Sequence, residues 1–387
     1  MIAPSSAWLE FSNLNPVEKG MPERDLLARL LMSNSCYEAM PSSGRVIIFD
    51  VDLTMWRAFV ALITSESRHV LLSDRSQGGE IIGILSVTDF IRVILKIFRD
   101  QSFSHYHRFD AFSLITIREF REIAFKAGKL RSLVSISATD NLLDAVRTLS
   151  SHHVHRIPVF DPDTGNPIHL LTHRRILKFM WTFGQTLFPP DYQVRTPKEL
   201  NIGTWSNIRY VYPETRLIEC LDLLLDHNIS GIPVVERSTQ KVVDVYSRFD
   251  AIGIALHDEE FTGDTTVKEA LDFKHICEGG RERVVSVRET DPFLFVLSTL
   301  VDHNVHRVCV LDENKALLGV ISLSDVMDAV VVQPAKSLRA PTALRHVSQE
   351  SFDLSNMELY MRSLYESGEE LDELSRTYAT DQQLMTS

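Results

Sequence analysis

The sequence contains little cysteine. Its 387 residues include four cysteines, Cys36, Cys220, Cys277 and Cys309, and their spacing matches neither a zinc ligand set nor a redox pair. Scattered cysteines of this kind are typical of reduced, buried thiols. We therefore expect a cytoplasmic protein, with the nucleus as a second compartment.

Long apolar runs and an excess of positive charge are also missing. No apolar stretch reaches the roughly 18 residues of a membrane span, and the first residues lack the basic and apolar segments of a signal peptide. The formal net charge of −12 disfavours a general nucleic-acid binder, which needs a basic face. We therefore expect neither a membrane nor a nucleic acid as a partner.

Catalytic motifs are absent as well. There is no P-loop, no glycine-rich kinase loop and no nucleophile elbow, and residues 78–83 do not match the dinucleotide-binding pattern. His152, His153 and His155 have no carboxylate or cysteine partner at metal-ligand spacing. The sequence therefore predicts a protein that is not an enzyme and holds no metal.

What the sequence does contain is one helix-to-strand junction, repeated four times. The clearest copy, Ser151–Val159, reads S-H-H-V-H-R-I-P-V, and related junctions end the stretches 60–72, 221–235 and 297–310. Three of the four junctions carry an arginine at the turn, while the third carries Asn228. A repeat with a long period indicates an architecture of similar units.

Each junction lies within the same order of elements: strand, helix, strand, turn, strand, helix. In the first copy we predict a helix over 26–40, strands over 46–49, 70–73 and 81–87, and a turn at Gly78–Gly79. The third copy is predicted to begin with a strand over 208–211. One such unit cannot bury both its faces, so we expect units to pair, sheet against sheet, with clefts between partners.

The repeat also sets the expected boundaries. We predict a flexible segment over 1–25, four copies over 26–98, 117–183, 197–256 and 267–333, and a flexible acidic tail over 336–387. Linkers are expected near 99–116, 184–196 and 257–266. Each copy has a short lead-in with a glutamate, namely Glu38, Glu119, Glu199 and Glu269.

The histidine–arginine–apolar–proline turn, together with the stretches 171–179, 243–250 and 320–325, resembles CBS motifs. Four such motifs in tandem without a catalytic domain resemble the γ regulatory subunits of AMP-activated protein kinase. The resemblance implies an α+β (mixed α/β) fold, with four CBS motifs paired into two Bateman modules that form a flattened disc. It also implies a regulatory subunit that binds AMP, ADP or ATP competitively and assembles with a catalytic α and a scaffold β subunit.

Three aspartates are candidate ribose ligands. Asp89, Asp250 and Asp325 stand where the last strand of a copy enters its helix, and a carboxylate can accept two hydrogen bonds from a ribose diol. Each could instead be a helix-capping acid. The second copy has Arg175 at this place. Arginine cannot accept a hydrogen bond, so we predict that this copy lacks a nucleotide of its own.

Cations and small or apolar residues complete the expected sites. Arginine and histidine at the junctions suit phosphate groups, although each could be a solvated turn residue: Arg68, His155, Arg156, Arg174, His306 and Arg307. The resemblance implies adenine contacts from strand residues that could equally be core: Ile84, Ser86, Val134, Thr204, Ser230, Val245, Ser247, Val284, Ser322 and Ser324.

Two departures from the family leave alternatives open. Asn228 replaces an arginine, so one site is expected to be weakened or altered. In the first copy, Val70–Leu71 replaces a small residue and proline. A structural scaffold with weak or non-exchanging nucleotide, or an adenosyl-binding module that regulates another enzyme, also fits the sequence. The early strand near 45–49 is a candidate for pairing with the β subunit.

Overall fold

The four copies of the junction fold into four similar groups of strands and helices. The computed structural model describes residues 25–41, 45–65, 69–99, 113–251, 264–278 and 284–336. They all belong to one unit of the chain, Met1–His346. The segments expected to be flexible, 1–25 and 336–387, lie outside the described residues apart from their inner ends, as does Arg68.

The first copy shows the repeating order. Its elements are α1 (Leu26–Ser33), β1 (Ile48–Asp50), α2 (Met55–Thr64), β2 (His69–Asp74), β3 (Glu80–Ser86) and α3 (Val87–Arg99). β1 pairs with β2 in parallel, and β2 pairs with β3 antiparallel. Gly78 and Gly79 have φ angles of 74° and 82°, a conformation that glycine adopts without strain, so the predicted turn forms there.

The other copies follow the same plan. The second contains α4 (Ile117–Lys126), β4 (Ile136–Ser137), α5 (Leu142–Ser151), β5 (Arg156–Phe160), β6 (Pro167–Thr172) and α6 (His173–Phe183). The third contains α7 (Leu217–Asp226), β7 (Gly231–Val235) and β8 (Val242–Ser247). The fourth contains α8 (Val267–Glu278), β9 (Ser286–Arg288), α9 (Phe293–Asp302), β10 (Arg307–Leu311), β11 (Leu317–Ser322) and α10 (Leu323–Met327).

Two predicted elements differ in the structure. The expected strand over 208–211 is reduced to one bridge, in which Val211 pairs with Val234, because Pro233 on the partner strand lacks the N–H that would extend the parallel ladder towards residue 208. The expected helix over 26–40 ends at Ser33. Its next residue, Asn34, is extended and donates its side-chain amide to the Leu30 carbonyl at 2.7 Å, which satisfies the helix end.

The segment 184–196, predicted as a linker, contributes two aromatic side chains to the core. It forms two short 3-10 helices, Gln185–Leu187 and Pro190–Gln193. Phe188 and Tyr192 are 6% and 7% exposed, and the Tyr192 ring lies 4.8 Å from that of Phe293. Because aromatic side chains bury large apolar areas, this segment stabilises the second and fourth copies together.

The lead-ins explain how copies pair, because each packs on the neighbouring copy. The lead-in of the second copy bonds to the first through Ile117 N and Leu53 O at 2.9 Å, and that of the first bonds to the second through Cys36 N and Asp140 O at 2.7 Å. The third and fourth copies exchange lead-ins in the same way. In all four lead-ins the glutamate accepts a hydrogen bond from the backbone of Ser35, Thr116, Thr196 or Thr266, the pattern of a capping box.

The helices pair the copies differently. One apolar cluster joins the second and fourth copies, with Leu143 and Leu297 fully buried in it, and another joins the first and third, with Phe59 and Leu221 buried. A small third cluster lies between the sheets of the third and fourth copies. Burying one such side chain contributes about 1.5–3 kcal/mol. The order of contacts is therefore a closed cycle: first, second, fourth, third.

One ion pair ties the first two copies together. Arg118, in the second lead-in, donates to both carboxylate oxygens of Asp74 at 2.9 and 3.0 Å and to Asp52 at 2.7 Å. Asp74 is 2% exposed. The hydrogen bonds from Arg118 and Ser76 hold the pKa of Asp74 well below its usual range. The pair therefore stabilises the folded state only while Asp74 is ionised.

We expect Arg118→Ala to lower the free energy of unfolding at pH 7 by about 3 kcal/mol, because a buried carboxylate then loses its partner. In the wild type, the lowered pKa means that this stabilisation is present above about pH 4 and is lost as the pH falls further. Urea unfolding at pH 7 and at pH 3 measures both effects.

Arg75→Ala is the matched control. Arg75 pairs with Asp50 at 3.1 Å, but its side chain is 86% exposed, so its removal should cost at most about 1 kcal/mol. Equal losses for the two variants would contradict the structural role of Arg118.

Candidate functional site

A cleft between the first and second copies collects six of the residues predicted from the sequence. It has a cavity volume of about 200 Å³. Its walls include Ile84, Ser86 and Asp89 from the first copy, and Val134, His155 and Arg156 from the second. Apolar groups, one carboxylate and two basic groups thus face one space, which suits a ligand with an aromatic and an anionic part.

Asp89 serves as a helix cap as well as facing the cleft. Its Oδ2 accepts hydrogen bonds from the backbone N–H and the hydroxyl of Ser86, both at 2.9 Å. Its Oδ1 accepts from Arg92 at 3.1 Å. Burial raises the pKa of Asp89, and the positive charge of Arg92 opposes that rise. The capping function uses one oxygen and leaves the other for a ligand or for Arg92.

The other two predicted aspartates make the same cap. Asp250 accepts from Ser247 N at 2.7 Å, and Asp325 accepts from Ser322 N at 2.8 Å. Capping and ligand binding are therefore compatible at these positions, since a carboxylate has about four acceptor sites. Arg175, at the same place in the second copy, instead donates its Nε to the carbonyl of Ala39.

Arg307 lies between the third and fourth copies. It donates to the hydroxyl of Ser230, and it lies over Gly231, where an added Cβ would overlap its Nη1. Burial lowers the pKa of Arg307 to about 10, so the guanidinium remains charged at neutral pH. Glycine at position 231 is required for this close approach.

Arg248 also lines the first cleft, and it was not among the cations predicted from the sequence. It donates to Thr88 Oγ1 at 3.1 Å and to the Leu224 carbonyl at 2.7 Å, and it reaches Asn228 Oδ1 at 3.4 Å. Burial, followed by the charges of Arg92, Arg307 and Arg131, lowers the pKa of Arg248 to about 10. A positive group therefore lies beside Asn228, the one junction position without an arginine.

The repeat contained a signal for this residue. Arg248 stands two residues before Asp250, and His173 stands two residues before Arg175, whereas the first and fourth copies have Val87 and Leu323 there. A polar residue at a position of the repeat that is apolar in two other copies indicates that its side chain makes polar contacts. Arg92, Arg121 and Arg131 also border the first cleft, and no repeated pattern indicated them.

Two histidines lie beside these cations. The ring centroids of His155 and His173 lie 6.5 Å apart, and the two ring planes are inclined at 70°. Burial and the charges of Arg248, Arg307 and Arg131 lower the pKa of His155. Burial, together with His155, lowers the pKa of His173 to about 4. The charges of Arg248 and Arg307 therefore act on His155 from the third and fourth copies.

The remaining predicted residues are distributed around the third and fourth copies. Val245 and Val284 pack against the small apolar cluster between the two sheets, and Thr204 forms a bridge with Val320. Arg174 donates to the Asn304 carbonyl at 3.3 Å, which links the second and fourth copies. The His306 carbonyl accepts from Leu323 N at 3.0 Å, and Ser324 is exposed.

The described part of the chain contains neither a metal-binding cluster nor a membrane-spanning helix. There, no group of three or more histidine, cysteine or acidic side chains could hold a metal ion. Nor is any of the described helices long and apolar enough to cross a membrane. Cys36, Cys220 and Cys309 are buried, and burial raises the pKa of each thiol to about 12, so they are poor nucleophiles.

Comparison with protein families identifies the repeating unit. The model of the CBS domain matches residues 128–182, 199–257 and 280–332, which fall in the second, third and fourth copies. The first copy lies outside these matches but has the same order of strands.

Curated relatives match a larger part of the chain. Subunit gamma-3 of the human 5′-AMP-activated protein kinase is 37% identical over 314 residues, and that of the pig is 36% identical over 314 residues. The matches cover 81% of this chain. The second, third and fourth copies match the CBS domain, and the chain is similar to the γ subunits of AMP-activated protein kinase. It spans about three fifths of the length of these relatives, namely 62% and 59%.

A solved structure shows the same fold. A protein from Methanocaldococcus jannaschii, described as an archaeal homologue of the γ subunit, superposes with a TM-score of 0.59 at 15% identity. The match covers 76% of this chain and 99% of that protein. The family resemblance and the mixed α/β fold predicted from the sequence are confirmed.

The lowered pKa of His173 gives a testable pH dependence. In the unfolded chain a histidine titrates near pH 6.5, so it takes up a proton there before the folded state does. The stabilisation from the neutral, buried ring is therefore complete above about pH 6.5 and decreases towards pH 4. The fourth copy has Leu323 at the matching position, so leucine is the replacement for His173. Between pH 6.5 and pH 4, we expect the free energy of unfolding of His173→Leu to fall by about 3 kcal/mol less than that of the wild type.

Urea unfolding at pH 7, 6, 5 and 4.5 measures the effect. The exposed His227, replaced by leucine, is the control and should leave the slope of stability against pH as it is in the wild type. A His173→Leu protein with the wild-type slope would contradict the assignment.

Proposed function

We propose that this protein is a non-catalytic regulatory subunit that binds AMP, ADP and ATP competitively and controls a protein kinase. The observation that carries the proposal is the cleft between the first two copies, which Asp89, His155 and Arg156 line together with apolar side chains. One cavity thus has a possible diol acceptor and possible phosphate donors in its walls. The similarity to subunits of the 5′-AMP-activated protein kinase supports the same function.

The parts of a nucleotide can be assigned to the walls of the cleft. Adenine would lie between Ile84 and Val134, where apolar surface is available beside strand backbone. The ribose diol would face Asp89, and the phosphates would face His155 and Arg156. AMP, ADP and ATP share the adenine and ribose contacts and differ in charge at the cationic end. Because a ligand shifts an equilibrium only by its differential affinity, this end is where the nucleotides would act differently on a kinase.

Two further sites are proposed in the third and fourth copies. Asp250 and Asp325 make the same capping interaction as Asp89, which leaves acceptor sites for a ribose. Arg307 and Ser230 would supply hydrogen-bond donors to the phosphates. Val245 and Val284 supply apolar surface between the two sheets. The second copy is proposed to hold no nucleotide of its own, because Arg175 replaces the aspartate and already donates to the Ala39 carbonyl.

Assembly with catalytic α and scaffold β subunits is proposed on two grounds. The relatives are named as subunits of a kinase. In addition, β1 is at the edge of the first sheet, bonded only to β2 among the described strands, and Ile48 is 45% exposed. An edge strand of this kind accepts an added strand from a partner. The cytoplasm, with the nucleus as a second compartment, remains the predicted location.

We expect Arg307→Gln to weaken AMP binding about ten- to a hundredfold, because a charge-assisted hydrogen bond contributes about 1.5–3 kcal/mol. Glutamine can still bond to Ser230, so the fold should be retained. Isothermal titration calorimetry with AMP and with ATP measures the change. Arg216→Gln is the control, since Arg216 pairs with Glu219 at 3.0 Å in an exposed position. No heat from the wild type at millimolar nucleotide would refute the proposed function.

We expect Ile48→Lys to reduce co-purification with co-expressed α and β subunits by about tenfold or more, because a charged side chain on the edge strand opposes strand addition. AMP binding by the isolated protein should be unchanged. Val243→Lys on β8 is the matched control, because Val243 is likewise exposed, at 37%, and lies on another sheet. Full recovery of the complex with Ile48→Lys would place the partner surface elsewhere.

A further inference from the structure

Arg92 occupies the oxygen of Asp89 that the capping interaction leaves available. It lies one helical turn after Asp89 in α3, lines the first cleft, and places Nη1 at 3.1 Å from Asp89 Oδ1. The side chains of Arg92 and Asp89 are 32% and 17% exposed. Since Oδ2 already accepts from the backbone and hydroxyl of Ser86, both oxygens of this carboxylate are engaged within the protein.

The other copies differ at this position. Three residues after Asp250 the sequence has Gly253, and three residues after Asp325 it has Asp328. Neither residue is a cation that could pair with the preceding aspartate. The three aspartates share a cap but not this ion pair.

We propose that Arg92 is a specificity-determining residue of the first cleft: it competes with the ribose hydroxyls for Asp89. The first cleft therefore binds AMP more weakly, and depends less on an intact diol, than it would without Arg92. This inference rests on the proposed nucleotide-binding function and concerns the same cleft.

The surroundings of Arg92 favour the pair with Asp89. Arg248, which donates to Thr88 beside Asp89, carries a positive charge that acts on Arg92 at short range. If a ribose displaced Arg92 from Asp89, the positive charges of Arg92 and Arg248 would still act on each other while Arg92 had lost its carboxylate, unless a ligand phosphate took its place. A ligand must therefore offset the loss of this ion pair before its sugar gains the carboxylate.

The test is Arg92→Asn, examined by calorimetry with AMP and with 3′-deoxy-AMP. We expect the variant to bind AMP about three- to fivefold more tightly, the size of one partly exposed ion pair. The preference for AMP over 3′-deoxy-AMP should widen by a similar factor. Arg147→Asn is the matched control, because Arg147 makes the same kind of pair with Asp144, at 3.3 Å, outside the cleft.

A double-mutant cycle with Asp89→Asn ties the effect to the pair. In the Asp89→Asn background, Arg92→Asn should no longer improve AMP binding, and thermal unfolding of all four proteins checks that the fold is retained. Unchanged or weaker AMP binding by Arg92→Asn, with a wild type that binds AMP, refutes the inference and leaves the proposed function standing. A wild type that binds no AMP refutes both.

Discussion

A small βα unit with exposed faces is the constraint on which this structure depends. Three short strands and two helices cannot cover both sides of a sheet, so each unit must find a partner. The chain solves this by exchange: each lead-in bonds to the backbone of the neighbouring copy, as Ile117 does to Leu53. The same exchange holds two sheets close enough to form the cleft that contains Asp89 and His155. The pairing of the copies and the candidate binding cleft therefore have one structural origin.

The aspartates show how one side chain can serve folding and binding together. Asp89, Asp250 and Asp325 each accept a hydrogen bond from a serine backbone at the end of a strand, which begins the following turn or helix. The capping and ribose interpretations were alternatives when only the sequence was considered. In the structure the cap uses one carboxylate oxygen of Asp89, so the cap is compatible with the proposed ribose contact, and the ion pair with Arg92 at the second oxygen is a feature of the first copy.

Features carried by local pattern were predictable from the sequence. Most strands, the turn at Gly78–Gly79 and the grouping of Asp89 with His155 followed from apolar periodicity and from the register of the repeat. The cations that come from other copies were not predictable. Arg248 meets Thr88 across 160 residues of sequence, and no local pattern encodes such a contact. The segment 184–196 was misjudged for a similar reason, because Tyr192 packs against Phe293, which lies on a helix about 100 residues later in the chain.

The cyclic order of contacts also restricts how such a chain can change in length. Every copy uses one side for exchanging its lead-in and another for packing its helices, and the two partners are always different copies. Removing a single copy would leave one lead-in without the copy to which it bonds, and would also expose the helical surface of a second copy. We therefore expect copies to be gained or lost two at a time during evolution. The adjacent pair, and not the individual motif, is then the smallest unit of duplication or loss.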